Sequence, residues 1–63
     1  SMDALMDDVE FLSVLETQRQ NIKALIDACG DDAAKLANLR RRAEACERAI
    51  GALMDKLRTA RAP

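Results

Sequence analysis

From Leu36 onward, apolar and small residues recur alternately three and four positions apart: Leu36, Leu39, Ala43, Cys46, Ile50, Leu53, Leu57 and Ala60. This is the a/d spacing by which one helix packs its side chains into the gaps of another. It predicts a helix over 33–61, with Leu36, Leu39, Ile50, Leu53 and Leu57 supplying bulk and Ala43 and Cys46 permitting close approach. The first half carries a rougher version of the pattern. Leu5, Leu12 and Ile26 fall at heptad spacing, as do Leu15, Ile22 and Cys29, which predicts a helix over 3–29. Arg19 interrupts the first set and Asp8 the second. Val9, Phe11, Val14 and Leu25 lie on the flanks, so the apolar face is wider than a two-stranded seam requires. Asp3, Asp7, Asp8 and Glu10 sit early in this helix, where the backbone dipole favours negative charge. Arg19 is a candidate register residue, since a lone polar group in a heptad seam restricts how helices align; the plainer reading is that its stem packs and its head reaches water.

Between the two patterns stand Gly30, Asp31 and Asp32. Glycine commonly follows a helix C-terminus because it accepts left-handed torsions without a Cβ penalty. An aspartate can cap the next helix by accepting from an unpaired backbone N–H. Helix, turn over 30–32 and helix is the grammar of an antiparallel αα-hairpin. A single rod through Gly30 would place Arg40 and Glu47 at a positions and would need a stutter to recover the seam. Two pairing registers are open. Leu36 opposite Ile22 brings Arg40 near Glu16 and is preferred on charge; Leu36 opposite Cys29 brings Glu16 near Glu47.

The fold class is therefore all-α: a coiled-coil-like two-helix hairpin. Both helices keep apolar residues outside their seams, among them Met6, Val9, Phe11, Val14 and Leu25 on the first and Met54 on the second, with Ala45, Ala49 and Ala52. Exposed together they mark an interaction surface. A second hairpin covering them makes a four-helix bundle, and two-fold homodimers are the commonest assemblies. The expected helix-packing interface is thus Leu5, Val9, Phe11, Leu12, Leu15, Ile22, Leu25, Ile26, Leu36, Leu39, Ala43, Cys46, Ile50, Leu53, Met54 and Leu57. A helix of another protein in the groove is the alternative partner.

Composition sharpens this picture. In 63 residues there are two glycines, one proline, one aromatic residue and no histidine, with 49% hydrophobic and 33% charged residues. That is a helical composition in a chain too short to build a large core alone. The net charge of −1 conceals an asymmetry: residues 1–30 hold two basic and six acidic side chains, and residues 31–63 hold eight and five. Opposite halves favour lying side by side, though exposed pairs contribute only ~0–1 kcal/mol each. No apolar run approaches the ~20 residues of a membrane span, and no signal-peptide pattern opens the chain. An intracellular location, cytoplasmic or nuclear, is the expectation. Ser1-Met2 reads as a cleavage scar from an expression vector, so that the hairpin is expected to come from a larger protein.

Candidate chemistry is sparse. Without histidine, tyrosine or tryptophan, acid–base work would fall to carboxylates, lysines or thiols, which need a cleft that a hairpin lacks. The expectation is no enzyme, no cofactor and no metal. Cys29 and Cys46 read as small core residues, too far apart along the helix to pair with each other. Asp31-Asp32 reads as a cap. Arg40-Arg41-Arg42 is the one basic run, but consecutive helical residues fan around the axis. Arg41 and Arg48 do share an outer face and are candidate contacts for an acidic protein segment. Nucleic acid is the weaker reading, because no aromatic side chain accompanies them for base stacking.

Overall fold

A computed structural model describes residues 1–60 as two helices, α1 (Met2–Ala28) and α2 (Ala33–Ala60), packed antiparallel against each other. The Cα positions span 49 × 15 × 12 Å, so the hairpin is one helix thick. Helix α1 starts one residue before the heptad pattern implied. Ser1 caps it: its hydroxyl oxygen accepts from the Ala4 N–H at 3.3 Å, and its carbonyl accepts from Leu5 at 3.2 Å. A serine oxygen satisfies an otherwise unpaired N–H of the first turn.

The helix ends one residue early. Cys29 keeps helical torsions (φ −79°, ψ −19°), but its N–H donates to Ile26 at 3.2 Å, the tighter three-residue closure of a terminating turn. Gly30 then takes φ +66°, which only glycine adopts without strain. Asp32 begins α2: its carboxylate accepts from the Lys35 N–H at 3.0 Å and its carbonyl from Leu36 at 2.9 Å. The Cys29 thiol closes the turn from inside, 3.9 Å from the Gly30 carbonyl oxygen and 3.8 Å from that of Asp32. Arg61, the last residue of the expected second helix, lies outside the described residues.

The side chains turned inward on α1 are Leu5, Asp8, Leu12, Leu15, Arg19, Ile22 and Ile26, followed by Cys29 at its cap; those on α2 are Leu36, Leu39, Ala43, Cys46, Ala49, Ile50, Leu53 and Leu57. Burial is uneven across the seam. The d positions Leu15, Ile22, Leu39, Cys46 and Leu53 are buried, whereas at the a positions only Ile50 is; Leu5, Leu12, Ile26, Leu36, Ala43 and Leu57 are half-buried. The a positions border the e flank of each helix and the d positions the g flank, so the core is better covered on the g side.

The cross-helix contacts overturn the charge-based register. The Cys46 thiol donates to the Leu15 carbonyl at 3.2 Å, and Lys56 Nζ lies 3.1 Å from the Asp8 carboxylate. Counting from these contacts sets Leu36 beside the last turn of α1, toward Cys29, and not opposite Ile22. Ile22 accordingly packs in the cluster of Cys46, Ile50 and Leu53, while Leu39 is buried outside that cluster, nearer the turn. The reason is geometric. A tight connection fixes how far the helices can slide, and that constraint outweighs one exposed Glu16–Arg40 attraction.

Candidate helix-packing surfaces

Two flanks run the length of the hairpin, one on each side of the seam. On the g flank a shallow open groove of ≈310 Å³ is lined by Gln18, Arg42, Ala45 and Ala49 above Leu15, Ile22 and Cys46. Phe11 (54% exposed) and Leu25 share the g positions of α1 with Gln18, and Val14 lies just outside them. The g positions of α2 are Lys35, Arg42, Ala49 and Lys56, so every charge there is positive. Lys56 reaches back to Asp8, whose side chain retains 23% of its exposure. That pair explains how an acid survives at a d position: it lies at the open end of the seam, with an opposite charge in contact.

On the e flank, Val9 of α1 and Met54 of α2 are both exposed and stand at the same level of the hairpin. Two turns further toward the connection the register brings Glu16 level with Glu47, and beyond them Lys23 level with Arg40. All four are exposed. Arg19 is half-buried between these levels and forms no ion pair among the described residues.

The expected interface residues thus divide. Those in the seam are buried or half-buried within one hairpin, as set out above. Val9, Phe11, Leu25 and Met54 are exposed, as are Met2, Met6 and Val14. Arg41 and Arg48 are also exposed on the outer face of α2, away from both flanks. Asp55, on the same face, forms an ion pair with Arg58. The sequence reading missed the Asp8–Lys56 pair, because it treated Asp8 as an interruption and used the wrong register. It also missed the cross-helix role of Cys46, for which the small Ala43 and Cys46 in the seam were the available sign.

Among the described residues, no three or more Cys, Asp or Glu side chains gather where they could hold a metal ion. No helix there is long and apolar enough to cross a membrane. No family model matches the chain, and no curated protein or solved structure is significantly similar to it.

Proposed function

We propose that this hairpin is a non-catalytic self-association module that joins copies of the polypeptide carrying it by helix packing, as a hairpin dimer forming a four-helix bundle. One observation carries the reading. Among the described residues, a single hairpin buries six hydrophobic side chains and leaves seven large ones, Met2, Met6, Val9, Phe11, Val14, Leu25 and Met54, exposed. They fall in two groups, one along each flank, and apolar groups exposed together mark an interaction surface. A chain of this size also has little core to offset its ordering entropy, and association supplies more.

Sedimentation across a hundredfold range of concentration tests the proposal directly, with thermal melts in parallel. Mass should rise toward twice 6.9 kDa, and Tm should rise with concentration, since mass action favours a folded dimer. Leu53→Asp puts a charge into the buried seam. Lys56, one turn on, is already engaged with Asp8, so the new carboxylate stays uncompensated and a marginal fold cannot bear it. Helicity and dimer mass should be lost together. A wild-type chain that sediments as a monomer at every concentration refutes self-association.

The g flank favours a second reading, an adaptor that docks a foreign helix. Its groove is apolar and its α2 charges are all basic, which suits an acidic amphipathic helix. On that reading the chain alone stays monomeric, and Arg42→Glu weakens capture of such a helix.

A further inference from the structure

The e flank carries a charge arrangement that does not favour the pairing of α1 with α2 across the seam. Glu16 stands level with Glu47, and Lys23 level with Arg40, so both cross-helix pairs are like-charged. Residues flanking a helix seam ordinarily set partner choice and orientation through opposite charges, and like charges at such positions disfavour the pairing. The same flank is the one on which every a-position side chain except Ile50 remains half-buried. Building on the self-association reading, we propose that the e flank is the dimer interface and that its occupant is a second copy running in the opposite sense.

Consider a two-fold axis that crosses the helices at right angles between the two charged levels. It lays α1 antiparallel on α1 of the partner and α2 on α2. Glu16 then meets Lys23 of the partner subunit, and Glu47 meets Arg40 of the partner subunit. Two-fold symmetry repeats both contacts, so one operation converts every like-charge pair into an opposite-charge one. The other face-to-face arrangement, with the axis along the helices, stacks α1 on α2 at unchanged level and sets Glu16 against Glu47 again. Charge therefore selects one of the two topologies. Arg19 falls close to the selected axis. Glu16, one turn away on the same helix, offsets its meeting its own copy. The g flank cannot pair with itself in this way, because its α2 charges are all positive; like-charge juxtaposition of that kind suppresses a partner.

Paired charge reversal followed by sedimentation tests the topology. In the 63-residue chain, E16K/E47K makes the flank wholly basic, and K23E/R40E makes it wholly acidic. Each keeps like charges level within the hairpin, and each changes only exposed residues, so helicity should persist. Each alone should dimerise at least about tenfold more weakly than wild type. An equimolar mixture should recover dimer mass as a heterodimer. The quadruple swap E16K/K23E/R40E/E47K restores complementarity within one sequence and should dimerise as the wild type does, which separates lost pairing from lost folding. If wild type dimerises and both double variants dimerise equally tightly, or if the quadruple stays monomeric, the e flank is not the interface and only this inference falls. If wild type is monomeric throughout, the self-association reading falls and takes this one with it.

Discussion

Gly51 stands in the middle of α2, exposed, and a Cβ built on it meets nothing within 4 Å. Glycine in a helix interior costs about 0.8–1.0 kcal/mol relative to alanine, because the unfolded chain has more freedom to lose. Gly51 does not have the positive φ that Gly30 has, so nothing in its backbone demands glycine. With the added methyl unopposed, Gly51→Ala should recover nearly the full difference, about 1 kcal/mol. For a domain of this size that corresponds to a rise in Tm of about 4–8 °C. The measurement is a thermal melt by far-ultraviolet circular dichroism at matched concentration, beside sedimentation of the same samples. An unchanged or lower Tm would refute the reasoning. That outcome would point instead to a partner whose backbone passes too close to Gly51 for a methyl group. Weaker association of the variant would be the mark of that contact.

The remaining predictions concern the core and the turn. Ile22 is the most enclosed of the described side chains, 2% exposed, and Ile22→Ala should cost about 2–5 kcal/mol. Against the ~3–9 kcal/mol typical of a 63-residue domain that removes much of the stability, so chemical denaturation should show a midpoint well below wild type or no folded baseline. A wild-type midpoint would mean that Ile22 is not at the core. Asp32→Ala should cost about 0.5–2 kcal/mol by removing the cap on Lys35, with Asp32→Asn retaining most of it; equal losses in the two variants would show that the carboxylate acts by charge and not as a cap.

Much of this architecture is written in the chain because its periodicities are local. The alternation from Leu36 to Leu57 defines α2 and its inner stripe, and Gly30 followed by Asp32 defines the turn, since each rests on torsions and hydrogen bonds within a few residues. The stripe of α1 could be read through Asp8 and Arg19 because six apolar residues keep the phase around them. Register is another matter. It depends on how a connection of a few residues closes and how near Ala43 and Cys46 let the helices come, neither of which a residue pattern encodes directly. A single favourable Glu16–Arg40 pair was a poor guide, being an exposed interaction that contributes little. At Ser1 the capacity of the hydroxyl to cap Ala4 was overlooked, although serine is a favoured residue at a helix start. The apolar flanks were legible as residues, but their division between two sides with different charge emerges only once the helices are placed.

The positions of the two cysteines turn the hairpin into its own recorder of opening. Cys29 is half-exposed in the turn, while Cys46 is sealed in the seam with its thiol against the Leu15 carbonyl. A thiol-specific reagent in excess should therefore consume the two in separate phases. The first tracks ordinary collision with a surface group. The second waits for the helices to part, so its rate divided by that of an unprotected thiol gives the equilibrium constant for opening under native conditions, without denaturant. The slow phase would also register a companion chain: if a second copy braces the seam, dilution should hasten the labelling of Cys46 and leave that of Cys29 unaltered.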